Sequence, residues 1–215
     1  MTYKIEFEVN NIVIGYVADE KDILSFGLSP WQWKELLTNP NHQGRDRIKE
    51  SIPVYLRRDA IDLKVRIEDE WYKNQENVIK WLEELTKWPF PQTSIHICVV
   101  PFQCSRVPFP ELFFIFLGHI TKGWHYPETI AHELAHLLFN YYTNFSTRKA
   151  HPLIQLIEEE IAVRLGHRSA YFAYDIPPEA PWVKTAQQIF PKWKDYLNHK
   201  ENYRTIADLE SSIAC

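Results

Sequence analysis

The stretch YPETIAHELAHLLFNYY, residues 126–142, has the pattern of a buried helix that carries two histidines. Pro127 suits the first turn of a helix, where its missing N–H would have no helical partner, and Glu128 suits the positive end of the helix dipole. Apolar residues then recur at intervals of three and four, at Ile130, Leu134, Leu137, Leu138 and Tyr141. The stretch therefore predicts a core helix that begins near Pro127.

His132 and His136 lie four residues apart on this helix, and Glu133 directly follows the first of them. Residues four apart share one face of a helix, so the two imidazoles can converge on one ion. Glu133 lies about 100° further round the helix, close enough to reach a water on that ion. The pattern His-Glu-x-x-His is the zinc-binding signature in which the glutamate acts as a general base, and it predicts that catalytic role for Glu133.

Composition limits the classes of partner. The chain has 215 residues, of which 45% are hydrophobic and 24% charged, as expected of a globular protein that can build its own core. A net charge of −4 gives no reason to expect nucleic acid. No secretory leader and no apolar run of membrane-spanning length is present, so the sequence predicts a cytoplasmic protein without a membrane partner. Cys98, Cys104 and Cys215 are too few for a disulfide framework and are interpreted as thiols.

Apolar periodicity and the positions of proline and glycine predict an α+β chain. The N-terminal half is predicted to hold a β-hairpin over YKIEFEVNNIVIGYV with its turn at Asn10-Asn11, a short helix entered at Ser29, and helix between Pro53 and Trp88. The second half is predicted to hold a strand SIHICVV, a loop FQCSRVPFPE, a strand LFFIFLG, the HExxH helix, a helix LIQLIEEEIAVRL closed by Gly166, a helix around WVKTAQQIF and a last amphipathic stretch YRTIADLESSIA.

A catalytic zinc site needs a third protein ligand and an open position for water. The metzincin pattern requires glycine and histidine three and six residues after the second motif histidine, but Phe139 and Tyr142 stand there. An aspartate ligand has no candidate nearby, because the chain has no Asp between Asp69 and Asp175. The remaining candidates are the acidic triplet Glu158-Glu159-Glu160 on the next predicted helix.

This arrangement resembles the gluzincin clan of zinc metallopeptidases, whose third ligand is a glutamate on a second helix after HExxH, commonly with a small residue three positions later. Glu159 with Ala162 matches that pattern, whereas Glu158 and Glu160 have Ile161 and Val163 in that position. The resemblance covers roughly residues 92 to 166 and implies a single zincin-like domain. Its sections would be 1–90 with the N-terminal hairpin and helices, 91–166 with the catalytic core, and 167–215 with a C-terminal helical extension. The implied core is a small mixed sheet packed on the HExxH helix and the glutamate helix.

The resemblance also implies a ligand set and a substrate. His132, His136 and Glu159 would hold Zn²⁺, and Glu133 would take a proton from the attacking water of a peptide-bond hydrolysis. The strand LFFIFLG would act as an edge strand that binds an extended peptide or protein substrate. An oxyanion donor is expected, for which His167, Tyr171 and Tyr174 are candidates. His119, His125 and His151 are interpreted as ordinary surface or core histidines.

Three alternatives stay open at this point. The acidic triplet can be a solvated helix face, as runs of charge usually are, and Glu158 or Glu160 can replace Glu159 as the ligand. The clan often has an aspartate four residues after the ligand glutamate, where this chain has Val163, so a catalytically inactive zincin-like scaffold or peptide-binding module is the second reading of the function. An HExxH hydrolase that acts on substrates other than peptides is the third.

Overall fold

The structure is a computed structural model that describes residues 4–121, 123–172 and 181–212. Within these ranges the chain is α+β, with seven α-helices, four strands and three short 3₁₀ helices. The elements are β1 (Lys4–Glu8), α1 (Asn11–Glu20), α2 (Pro30–Thr38), α3 (Gly44–Ser51), α4 (Val54–Thr86), β2 (Ser94–Gln103), β3 (Ser105–Phe109), β4 (Phe114–His119), α5 (Tyr126–Tyr142), α6 (Thr147–Arg164) and α7 (Pro181–Asn198), and the 3₁₀ helices are Pro110–Leu112, Lys200–Asn202 and Ile206–Ser212.

Backbone contacts divide the chain into two compact units. The sheet unit comprises Lys4–Asp69 and Ser94–Thr121, and the helical unit comprises Glu70–Thr93 with the described residues that follow Thr121. Both HExxH histidines and the acidic triplet belong to the helical unit. The predicted division into three consecutive sections of one domain, and the zincin-like arrangement of its core, stay predictions.

The sheet unit contains a four-stranded mixed sheet in the order β1-β2-β4-β3. β1 and β4 both run parallel to β2, and β3 runs antiparallel to β4. The predicted strand LFFIFLG is confirmed as β4, but its expected edge position is wrong because it pairs on both sides. The edge strand beside β4 is β3, which lies inside the segment predicted as a loop. Pro108 is tolerated there because an edge strand can dispense with one backbone donor.

The predicted N-terminal hairpin is also wrong. After β1, the side chain of Asn10 accepts a hydrogen bond from the backbone N–H of Ile12 at 3.0 Å and caps α1. Every residue of α1 from Ile12 to Ala18 is buried, so this helix lacks the polar face that would have distinguished it from a strand. An asparagine that was expected to turn the chain therefore begins a helix, and β1 finds its partner in the distant β2.

The helical unit packs α5 against α6 and α6 against α7. The helical segment predicted between Pro53 and Trp88, as one long helix or two in succession, is the single helix α4, whose second half belongs to this unit. α6 begins at Thr147, six residues before the predicted start at Leu153, and includes Pro152. It ends as predicted, with Gly166 just beyond it at a φ of 75° that glycine adopts readily. No helix in the described ranges combines the length and the apolar character that crossing a bilayer requires.

Candidate metal centre

α5 presents its two motif histidines side by side. The helix begins at Tyr126 with Pro127 in its first turn, and the Glu128 carboxylate accepts the backbone N–H of His125 at 3.0 Å, as a capping residue does. Most of α5 is buried, but the rings of His132 and His136 lie on one partly exposed face with their Nε2 atoms 3.2 Å apart. The predicted helix and the predicted common face of the two imidazoles are thus confirmed.

The third member of this group is His151, which lies in α6. Its ring centroid is 5.1 Å from that of His132 and 5.1 Å from that of His136. One ring nitrogen of each of these three histidines, named here the histidine group, lies within 4.8 Å of the other two. Three nitrogen donors in one place suit zinc, and a fourth position on the ion would remain for a water.

The surroundings hold two of these imidazoles in the neutral form that a metal ligand needs. Burial, reinforced by the charges of His132 and His151, lowers the pKa of His136 to about 2. Burial and the charge of His132 lower the pKa of His151 to about 4. Burial alone would lower the pKa of His132 as well, but the charge and hydrogen bond of Glu158 and the charge of Glu133 outweigh it and raise that pKa.

Glu158 contacts the far side of the His132 ring. Its Oε2 lies 2.7 Å from Nδ1 of His132, and its side chain is fully buried. A carboxylate on Nδ1 fixes the tautomer that carries hydrogen there and leaves the Nε2 lone pair directed at the other two rings. Glu158, an alternative metal ligand in the sequence prediction, instead contacts His132 on the side of the ring away from the other two imidazoles.

The structure does not bring Glu159 to the histidine group. One of its oxygens pairs with the guanidinium of Arg168 and accepts from Gln155 Nε2 at 3.2 Å, and the other accepts from the backbone N–H of Phe172 at 2.9 Å. Glu160 pairs with Arg164 at 2.7 Å and accepts from the Tyr171 hydroxyl. Successive helical residues point about 100° apart, so the three glutamates of the triplet reach three different environments.

Glu133, the predicted general base, is 3% exposed on α5. Its charge acts on His132. A carboxylate this deeply buried is costly unless nearby polar groups or cations compensate it, so its place near His132 suits a functional group better than a packing one.

The other candidates from the sequence are spread over both units. His119 is exposed at the end of β4 in the sheet unit. His125 and His167 stack with ring centroids 3.9 Å apart, and burial, with the neighbouring charges of His125 and Arg168, lowers the pKa of His167. The Tyr171 hydroxyl is engaged with Glu160 and accepts from Trp193 Nε1 at 3.2 Å, while Tyr174 lies outside the described residues.

His151 is the residue that the sequence interpretation missed, since it was taken for an ordinary histidine before the start of its helix. The signal that could have identified it is its spacing of seven residues from Glu158, because two turns of helix place both on one face. Pro152 concealed that signal by suggesting that the helix starts after it.

Comparison of the chain with protein-family models, with curated proteins and with solved structures finds no match.

Proposed function

We propose that this protein is a zinc-dependent hydrolase in which His132, His136 and His151 hold the metal and Glu133 is the general base. The observation that carries the proposal is the histidine group, whose ring nitrogens lie within 4.8 Å of one another beside a buried glutamate. Peptide bonds are the proposed substrate class, on the strength of the HExxH resemblance.

The residues of the site fit a divalent metal in two ways. Three imidazoles offer nitrogen donors, and Glu158 orients the first of them through Nδ1. On the other side of His132, three fully buried carboxylates, those of Glu128, Glu158 and Glu159, face one guanidinium, that of Arg168. A dication at the histidine group would offset part of this uncompensated negative charge.

A zinc ion supplies Lewis-acid chemistry to such a site, since it lowers the pKa of a bound water and polarises a carbonyl. The chain itself would supply the proton transfers. Glu133 would accept the proton of the attacking water and pass it to the leaving amine.

The proposed ligand set differs from the one that the gluzincin resemblance implies. His151 takes the place expected for Glu159, because the oxygens of Glu159 are bound elsewhere. Peptide capture along LFFIFLG is not part of the proposal, since both sides of β4 are already paired within the sheet. The cytoplasmic location stays a prediction.

Metal content and hydrolysis test the proposal together. We expect purified protein to bind about one zinc per chain, and Glu133→Gln to keep that zinc while losing at least a hundredfold in the rate of peptide hydrolysis. The substrates should be a peptide library with a set of simple esters beside it. Wild-type protein without affinity for zinc would refute the metal site.

The variant also separates the alternative functions. Zinc-loaded protein that cleaves neither peptides nor esters would favour the inactive scaffold or peptide-binding module. Cleavage of esters alone would point to an HExxH hydrolase of another substrate class. Cleavage that is equally fast in the Glu133→Gln variant would show that Glu133 is not the base.

A further inference from the structure

Arg168 follows α6 and is the centre of a buried charge cluster. Its side chain is fully buried. Its guanidinium lies 3.5 Å from Glu128 and 3.9 Å from Glu158, pairs with Glu159, and stacks 5.2 Å from the centre of the Trp124 ring. Arg168 with these three glutamates is named here the carboxylate cluster. Burial of a guanidinium is costly in free energy, and the nearby carboxylates offset that cost.

We infer that Arg168 is a positioning residue for the metal centre and acts through Glu158. This inference rests on the proposed function, because it concerns the affinity of the histidine group for its metal. Arg168 touches none of the three histidines in the contacts of the described residues; its effect passes through one carboxylate that it shares with His132.

The geometry of Glu158 carries the inference. Its Oε1 faces Arg168 at 3.9 Å and its Oε2 faces Nδ1 of His132 at 2.7 Å, so one carboxylate bridges the guanidinium and the imidazole. The attraction between Oε1 and the guanidinium is a charge–charge interaction at 3.9 Å rather than a hydrogen bond, and it favours the orientation in which Oε2 meets the ring. Removal of the guanidinium would leave Glu158 among other buried carboxylates, which repel it, and its hold on Nδ1 would weaken.

The state of Glu128 shows that the cluster has too little positive charge. Burial raises the pKa of Glu128 to about 7, although the charge of Arg168 opposes that rise. Among the described residues, Arg168 is the one Lys or Arg that pairs with these three carboxylates, so one guanidinium shares its charge among them. Loss of Arg168 would therefore be felt by all three, including the one that orients a ligand.

α6 offers a matched control in Arg164, four residues earlier. Arg164 also forms a network of ion pairs, with Glu160 at 2.7 Å and Glu84 at 3.1 Å. Neither of those glutamates contacts the histidine group in the contacts described. Substitution of Arg164 removes an arginine and its ion pairs from the same helix without disturbing the bridge through Glu158.

The test compares zinc dissociation constants, measured by competition with a chromogenic chelator at one pH, for wild type, Arg168→Met, Arg168→Lys and Arg164→Met. We expect Arg168→Met to weaken zinc binding about tenfold to a hundredfold, as loss of an outer-shell partner does, and Arg168→Lys to restore part of it. Arg164→Met should stay within about threefold of wild type. The visible spectrum of the cobalt-substituted protein should change in Arg168→Met and not in Arg164→Met, which a general loss of stability would not produce.

Arg168→Met leaves unpaired buried charge and can fail to fold, so a second variant protects the test. Arg168→Met combined with Glu159→Gln removes one charge of each sign and keeps Glu158. Its zinc affinity should fall about tenfold or more below that of Glu159→Gln alone. An affinity of the double variant within threefold of that of Glu159→Gln would overturn the inference, and so would failure of both Arg168→Met and the double variant to fold. Wild type that binds no zinc would instead refute the proposed function.

Discussion

The histidine group and the carboxylate cluster lie on opposite sides of the His132 ring and differ in charge. The histidine group consists of three partly exposed imidazoles, whereas the carboxylate cluster holds three fully buried acids against one guanidinium. The first can receive a cation but supplies no negative charge, whereas the second holds its negative charge against a guanidinium. The comparison suggests that the three histidines would supply the ligand atoms and the buried glutamates the compensating negative charge. Glu158 contacts both groups.

The strongest test of this division exchanges a residue on each side. His151→Ala should weaken zinc binding by about a thousandfold or more, roughly 4 kcal/mol, because it removes one of three ligands. Glu159→Gln should change the affinity by less than about tenfold, because it alters only the surrounding charge. Chelator competition measures both. The reverse order of effects would restore Glu159 as the ligand and end the distinction between the two groups.

Substitution of Glu158 should have an effect on zinc affinity between those of His151→Ala and Glu159→Gln. Glu158→Ala removes the carboxylate from Nδ1 of His132, and we expect zinc affinity to fall about tenfold to a hundredfold. Glu160→Ala is its control on the same helix, since Glu160 pairs with Arg164 and Tyr171 instead. Equal losses in the two variants would mean that the charge of the triplet matters and the contact with His132 does not.

The smallest expected effect is a pH dependence of the free energy of unfolding, which should arise from Glu128 in the carboxylate cluster. Burial raises the pKa of Glu128 from 4.5 to about 7, so between these values the folded chain keeps a proton that the unfolded chain has released. Stability from this source is therefore present at low pH and is lost as the pH rises towards 7. The groups that face Glu128 are Arg168, Glu158, Glu159, His167 and the His125 backbone.

Glu128→Gln removes this titration. Between pH 5.5 and 8 the free energy of unfolding of wild type should fall by about 2 kcal/mol more than that of the variant. Urea unfolding with a metal chelator present measures this difference without a contribution from bound ions. A difference that does not change with pH would show that Glu128 keeps an ordinary pKa.

The sequence predicted best where the decisive interactions are local. The start of α5 depends on Pro127 and Glu128, and the start of α2 depends on a capping box between Ser29 and Gln32, so neighbouring residues carry the whole signal. The common face of His132 and His136 follows from helical spacing alone. These parts of the fold were predicted correctly.

The predictions were wrong where contacts between residues far apart in the sequence determine the structure. Asn10 can turn a hairpin or cap a helix, and only the pairing of β1 with β2, some ninety residues later, selects the helix. The segment with Pro108 forms a strand because β4 offers it an edge. The local sequence around Glu159 resembles that of a metal ligand, but its carboxylate pairs with Arg168, which lies beyond the end of α6.

Pro152 removes one backbone hydrogen bond from the first half of α6. A proline has no N–H, so the carbonyl four residues before it, that of Arg148, loses its usual helical donor. His151 therefore stands on a turn held more loosely than the one that carries Glu158. Of the three imidazoles of the proposed metal site, we expect His151 to adapt most readily to ions of different radius.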